Sequence, residues 1–339
     1  MKPILFYSDL HISEERHAEA DLVLTEVGRL AKKYGAIIAN GGDTHPIRGL
    51  IKTASHDLLT KHYTQWHDDG LIQVIDIGNH DQEDREGEVH PMRSFAKFSG
   101  WTVVSEPQIV EMGGVPWAVF PYMAKEKVQP AINRLRGKAK YALVHWGILG
   151  AKRNDWNTDT TGIPVEWLSC FKQVFSGHYH YRNAIENVQY IGSPFQHTHS
   201  EANQPKGVIL YDYKKINFIE IKGTPKHYSV EYKIEDDGVT LEGDVENITN
   251  RDFVKVKVTG DSELVSHVSH DDVRKHFDCA ELKFDRKGRV KAHSRLNLDS
   301  TSRLDPLTLM QKYVDFVDTT LDKKMLMQVG KGLVDELHS

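Results

Sequence analysis

Along the first two-thirds of the chain, short apolar runs alternate with longer stretches in which apolar side chains recur every three or four residues. Ile4-Leu-Phe-Tyr7 reads as a buried strand. Residues 17–34 then place Ala20, Val23, Leu24, Val27, Leu30, Ala31 and Tyr34 at helical spacing, with Gly35 as the stop. Ala36-Ile-Ile-Ala39 forms the next strand. Residues 51–66 follow as a second amphipathic helix carrying Leu58, Leu59, Tyr63 and Trp66, and Leu71–Ile75 as a third strand. Further strands are expected at 117–120, 141–144, 174–175 and 208–211. This repeated alternation predicts an α/β layered domain over residues 1–222.

Beyond residue 222 the pattern changes. Phe253-Val-Lys-Val-Lys-Val258 alternates as a half-exposed strand, and residues 271–277 read as a short helix. Ala280–Phe284 reads as another strand, ended by a turn at Asp285-Arg-Lys-Gly288. Residues 223–300 are therefore expected to form a small α+β module. Residues 301–339 predict a pair of amphipathic helices, opened by an Asp305-Pro306 cap. Leu307, Met310, Val314 and Val317 share one face of the first, and Met325, Val329, Leu333 and Leu337 one face of the second.

Composition narrows the class. A chain of 339 residues, 39% hydrophobic and 27% charged, can bury a substantial core. Its two cysteines, Cys170 and Cys279, form no CxxC pair, which argues against a thiolate metal site and for a reducing compartment. No stretch approaches the roughly 20 apolar residues of a membrane helix, and the N-terminal run is too short for a signal peptide. The expected address is the cytoplasm, with no membrane partner. A formal charge of −5 argues against a protein that coats nucleic acid through an overall basic surface, but it leaves room for a local patch. Nineteen histidines are many, and some should be ligands.

Five short motifs fall immediately after predicted strands, where α/β folds gather functional side chains. They are Asp9-Leu-His11, Gly42-Asp43, Gly78-Asn-His-Asp81, His145 and Gly177-His-Tyr-His180. Together they offer oxygen and imidazole donors without sulfur, a set that suits divalent Mn, Fe or Zn. In extended backbone, residues i and i+2 point the same way, so Asp9 with His11, and His178 with His180, are expected to face one site. Each motif alone is weak, because short His/Asp pairs occur by chance; five in this order are not.

The ordered set DxH, GD, GNHD, a single His and GHxH resembles the signature of the calcineurin-like binuclear metallophosphoesterases. The resemblance implies a four-layer β-sandwich flanked by helices, holding two divalent metal ions. One metal would be held by Asp9, His11, Asp43 and His180, and the other by Asp43, Asn79, His145 and His178, with Asp43 bridging. His80 would be the catalytic residue that is not a ligand, and Asp81 would orient it. His45 and Pro46 depart from the family's pattern after the bridging aspartate. Within the family the chain is most similar to the SbcD-type (meiotic-recombination-11) exonuclease subunits in their compact phage form. The third motif is GNHD rather than GNHE, Tyr190-Ile-Gly-Ser-Pro194 and Pro205-Lys-Gly207 close the catalytic domain in a similar way, and a small module and helix pair follow. That likeness implies a Mn²⁺-dependent 3′–5′ DNA exonuclease with endonuclease activity, acting in recombination and double-strand-break repair. It further implies a homodimer working with an SbcC-type SMC-like ATPase, in the host cytoplasm if the chain is phage-encoded.

Other residues gain provisional roles from this frame. Arg286, Lys287, Arg289 and Lys291 flank the expected turn and would present cations together to a phosphate backbone. The terminal helix stripes suit helix-in-groove docking on the ATPase, and the aromatic face of residues 51–66 suits a dimer bundle. His197 and His199 follow the Gly-Ser-Pro turn, from which a loop can reach the site; His90 is expected to cap the helix after it. Two rival readings stay open. One is a small-molecule or cyclic-nucleotide phosphodiesterase of the same superfamily, which has no need of residues 223–339. The other is a non-catalytic scaffold, which would lack at least one ligand, and none is missing.

Overall fold

The computed structural model of the chain describes residues 1–84, 89–202, 204–235, 238–289, 310–311, 313–315 and 322–337. Two six-stranded sheets dominate its first part. One joins β1 (Ile4–Tyr7), β2 (Ile37–Asn40), β3 (Gln73–Asp76), β4 (Thr102–Val104), β11 (Gly207–Tyr211) and β12 (Ile216–Glu220) in the order β12-β11-β1-β2-β3-β4. The other joins β5 (Gln108–Met112), β6 (Val115–Phe120), β7 (Tyr141–Val144), β8 (Gln173–Ser176), β9 (Ala184–Ile185) and β10 (Val188–Tyr190) in the order β5-β6-β7-β8-β10-β9. β1 to β4 run parallel to one another, as do β6, β7, β8 and β10.

Successive residues of these strands serve different cores. Ile4 and Phe6 join Trp117, Val119, Tyr141, Leu143 and Phe175 in one apolar cluster, to which both sheets contribute. Leu5 and Tyr7 point the other way, into the cluster built with α1 (His17–Tyr34) and α2 (Thr53–Asp68). Ala118, Phe120, Ala142 and Val144 likewise pack with α3 (Lys125–Leu135). The layers are therefore helices, sheet, sheet, helix, the fold implied by the motif resemblance. Burial on both faces is why these strands read as unbroken apolar runs rather than as alternating ones.

Local chemistry sets the helix ends. Gly35, at φ +58°, turns its N–H back to the carbonyls of Ala31 and Lys32 and closes α1. Leu59, Tyr63 and Trp66 of α2 are buried. Tyr63 exchanges a 2.6 Å hydrogen bond with Tyr7, and the Trp66 indole occupies the space left by the missing side chain of Gly28 on α1. The aromatic surplus on residues 51–66 is thus spent on the chain's own core, because α2 must cover the open face of β1 to β3.

The chain divides into two compact units. The first comprises Met1–Ser229, Gly243–Lys255 and Phe277–Lys283, and the second Val230–Glu242, Val256–His276 and Phe284 onward. The second contains most of a four-stranded sheet, order β14-β13-β15-β16, of β13 (His227–Glu235), β14 (Gly238–Glu242), β15 (Phe253–Asp261) and β16 (Glu281–Arg289). α4 (Ser262–His267) and α5 (His270–Arg274) accompany it, α5 opened by a Ser269–Asp272 capping box.

β16 corrects one expectation. Residues 285–288 continue as strand and do not turn, because ladder pairing in the sheet overrides the turn preference of Asp and Gly. In a strand, Arg286 and Lys287 point to opposite faces. Arg286 also donates to the Val268 carbonyl at 2.6 Å and lies over the Phe284 ring. Lys291, Leu307, Val317 and the Asp305–Pro306 cap lie outside the described residues, as do the side chains of Arg289, Leu333 and Leu337. Of the terminal stripes, Val314 is buried and the Met310 sulfur sits against Gly330, whereas Met325 and Val329 are 66% and 57% exposed.

Candidate metal centre

The parallel strands β1, β2 and β3 end where β7 and β8 end, and the five motifs emerge there. Asp9, His11 and Asp43 follow β1 and β2 with φ of 55°, 44° and 53°, and His178 follows β8 at φ 85°. All four are left-handed, a conformation costing non-glycine residues about 1–3 kcal/mol and concentrated at functional sites. Asp9 and His11 therefore converge through a tight turn and not through the strand alternation expected from their spacing. The strain is held by packing. A side chain at Gly78 would land on Asp43 Oδ1, and one at Gly42 on the His145 ring.

Two groups of donor atoms result, Asp9 with His11 and His180, and Asp43 with His145 and His178. They meet at Asp43, whose Oδ2 lies 3.2 Å from His145 Nε2 and 3.9 Å from His11 Nε2. Asn79 Oδ1 joins the second group, 2.9 Å from His178 Nδ1. His11 Nε2 and His180 Nε2 face each other at 3.1 Å, two imidazole nitrogens aimed at one point.

The surroundings prepare these atoms as ligands. His145 Nδ1 donates to the Gly41 carbonyl at 2.6 Å, His11 Nδ1 to the His45 carbonyl at 3.1 Å, and His180 Nδ1 to the Glu201 carboxylate at 3.0 Å. Each bond commits Nδ1 as donor and leaves Nε2 for the centre, an outer-shell arrangement usual for metal-binding histidines. His145 Nε2 is buried, with Asp43 Oδ2 3.2 Å away but not aligned as a hydrogen-bond acceptor. A buried ring nitrogen facing a carboxylate, within an oxygen and imidazole donor set, fits a divalent metal ion.

Electrostatics agree. Burial opposes the charge on Asp43, but the rings of His145, His11 and His80 hold its carboxyl well below the usual range. Burial likewise opposes protonation of His145, yet the Asp43 carboxylate pushes it up to about 10. Burial, reinforced by His145, lowers His178 to about 3 and leaves it neutral. His180 is raised by Glu201 against its own burial.

His80 stands outside both groups. Its backbone N–H donates to Asp43 Oδ1 at 2.8 Å, and its ring Nδ1 donates to the Pro46 carbonyl at 2.7 Å. Asp81 does not hydrogen-bond the His80 ring directly, because that ring's Nδ1 is taken by the Pro46 carbonyl. Asp81 Oδ1 instead accepts from the N–H groups of Thr44 and His45 at 2.9 and 3.1 Å, and Oδ2 from that of Gly78 at 3.1 Å. Asp81 fixes the loop that carries Asp43 and Pro46, and the Pro46 carbonyl in turn holds the His80 ring.

Histidines outside the motifs sort themselves by contact. His45 is buried against Asp81. His90 stands at an N-cap position, but its ring bonds Ser105 and neither caps nor covers the centre. His197 does reach the site, bonding the Asp9 carbonyl at 3.0 Å with its ring 4.8 Å from that of His180. His197, His11, His80 and His180 line a cavity of about 740 Å³ whose other wall includes Arg16 and Phe253. The sequence carried no signal for the Gly41 and Pro46 carbonyls, since a backbone acceptor leaves no mark on residue type.

No family model matches the chain. It is 24% identical over 306 residues to Exonuclease subunit 1 of Enterobacteria phage T4, covering 87% of this chain and 86% of that protein. Solved structures similar to it include an archaeal phosphodiesterase, at 10% identity and TM-score 0.36 over 64% of this chain and 99% of that one. Another is the calcineurin-like phosphoesterase YfkN of Bacillus subtilis, at 10% identity and TM-score 0.35 over 74% and 92%. The Pseudomonas putida nuclease MPE matches at 15% identity and TM-score 0.30 over 64% and 87%. Layers, motif order and likeness to the phage subunit agree. The chain is a phosphodiester hydrolase similar to a phage exonuclease subunit. Among the described residues, no helix is long and apolar enough to cross a membrane.

Proposed function

We propose that this chain is the nuclease subunit of a DNA-processing complex, a Mn²⁺-dependent 3′–5′ exonuclease with endonuclease activity. It would act in recombination and double-strand-break repair in the cytoplasm, as a homodimer with an SMC-like ATPase. The observation that carries the reading is the meeting of two donor groups at Asp43 with His80 beside them but in neither. Asp9, His11, Asp43 and His180 would hold one ion, and Asp43, Asn79, His145 and His178 the other. Divalent ions there would supply Lewis acidity, drawing charge from phosphate oxygens and making a water acidic enough to attack near neutral pH.

The chain's own residues do the rest. The Pro46 carbonyl fixes His80 with its proton on Nδ1 and leaves Nε2 to meet the phosphodiester. From there a protonated ring can stabilise developing charge or deliver a proton to the leaving oxygen, worth roughly 10²–10⁴-fold. The likeness to a phage exonuclease subunit supports DNA as substrate and a partner chain. The exposed Met325 and Val329 on the C-terminal helix (Lys323–Leu337) support docking of that helix in a partner's groove.

The test is end-labelled duplex DNA with purified protein and Mn²⁺, with His80→Ala in parallel. The wild type should shorten the labelled strand, and the variant should bind both metals yet cleave at least 10²-fold more slowly. A wild type that hydrolyses small diesters but leaves DNA intact would move the chain to the small-molecule phosphodiesterases. Metal lost from the His80 variant would make that residue a ligand.

A further inference from the structure

Two short stretches singled out in the sequence, Tyr190-Ile-Gly-Ser-Pro194 and Pro205-Lys-Gly207, take no part in the centre as described so far. Both converge on the far side of His180. Lys206 Nζ donates to the His180 carbonyl at 2.7 Å and to Ser193 Oγ at 2.9 Å, and pairs with Glu201 Oε2 at 2.6 Å. Glu201 uses its other oxygen, Oε1, to accept from His180 Nδ1 at 3.0 Å, and its Oε2 also accepts from Ser193 Oγ at 3.2 Å. Glu201 and Lys206 are only 5% and 6% exposed.

Burying such a pair is costly. Desolvation commonly cancels the attraction between two charges, so a buried ion pair is weak evidence for stability. What this pair does provide is geometry. Lys206 clamps the backbone of His180 and one oxygen of Glu201 together, and the remaining oxygen of Glu201 sets the plane and tautomer of the His180 ring. We propose that Glu201 and Lys206 form a positioning couple that builds one metal site, the Asp9–His11–His180 group, and not the other. The second group relies on different supports, chiefly the Gly41 carbonyl behind His145. The two sites are thereby unequal, and the couple governs only one of them. A carboxylate behind a ligating imidazole raises its basicity as well as fixing it, and losing such a support typically weakens metal binding 10–100-fold.

This inference rests on the two-metal reading of the site and is independent of whether DNA is the substrate. Its test therefore reads metal and not cleavage. Full-length protein carrying Glu201→Ala should titrate with Mn²⁺ as one near-normal site and one weakened 10–100-fold, followed by calorimetry. Its electron paramagnetic resonance spectrum at two equivalents should lose the signature of a coupled Mn pair and gain that of a single ion. Because Glu201→Ala strands a buried lysine and threatens folding, the double variant Glu201→Gln/Lys206→Met is made beside it. That variant keeps an acceptor for His180 Nδ1 and leaves no unpaired charge. It should melt close to the wild type and recover part of the lost affinity. The proposal is overturned if a folded variant binds both ions as the wild type does. It is equally overturned if both sites weaken together, which would make the couple a general structural support.

Discussion

Replacing Asp81 by asparagine separates two ways in which this residue could act on His80. The side chain keeps its shape, and one oxygen still faces the N–H groups of Thr44 and His45 at 2.9 and 3.1 Å. The new amide group, however, faces the Gly78 N–H, which at present donates to Oδ2 at 3.1 Å. A buried donor left facing a donor costs about 1–3 kcal/mol, and losing the charge weakens each remaining bond by about 1 kcal/mol. The sum is about 3–5 kcal/mol, or a fall in melting temperature on the order of 10 °C for a unit of this size. The shifted loop carries Asp43 and Pro46, so metal content should fall with stability. The assays are thermal melting, metal analysis after dialysis, and turnover of a chromogenic diester. All three should drop together. A variant that melts normally and keeps both metals, but turns over a thousandfold more slowly, would refute the reasoning and restore a direct contact between Asp81 and His80.

Three further outcomes are expected. Gly78→Ala should abolish metal binding while the protein still folds, since the added methyl would land on Asp43 Oδ1; normal metal content would show that the loop can yield. Loading with Mn²⁺ should release protons, because His145 is raised to about 10 by Asp43 and must be neutral to act as a ligand. Apparent affinity should therefore climb as pH rises from 6.5 towards 9, and calorimetry in buffers of different ionisation enthalpy would read the protons; no buffer dependence would contradict this. A chain ending at Arg303 should keep its metals and basal cleavage but lose association with a coiled-coil ATPase in co-purification. Each large side chain removed forfeits roughly 1.5–3 kcal/mol of gross burial, partly offset by the entropy of association. Early melting of the truncated chain would instead assign those helices to its own core.

The layered fold was legible residue by residue. Ile4–Tyr7 and Tyr141–Val144 had to be apolar throughout because each strand feeds two cores, and α1 ended where Gly35 allowed a left-handed cap. α3 went unread, with Pro130 inside it and a cluster of basic residues masking its buried face of Val128, Ile132 and Leu135. The turn at 285–288 was misread because its residues favour turns locally, whereas β16 is decided by the strand beside it.

The donor set was equally legible, since Asp9, His11, Asp43, Asn79, His145, His178 and His180 announce themselves by type and order after strand ends. Their convergence was not. Left-handed backbone at Asp9, His11, Asp43 and His178 is disfavoured locally and exists only because neighbouring segments hold it. The same holds for the partners. Whether Asp81 bonds the ring beside it or the loop carrying Asp43, and whether a glutamate at 201 stands behind a histidine at 180, depends on where distant segments come to rest. Sequence by itself determined which chemical groups this protein brings to its strand ends, because residue type is local information. Only the tertiary structure decided which atoms of those groups face the centre and which face their supports, because orientation is fixed by packing between segments far apart in the chain.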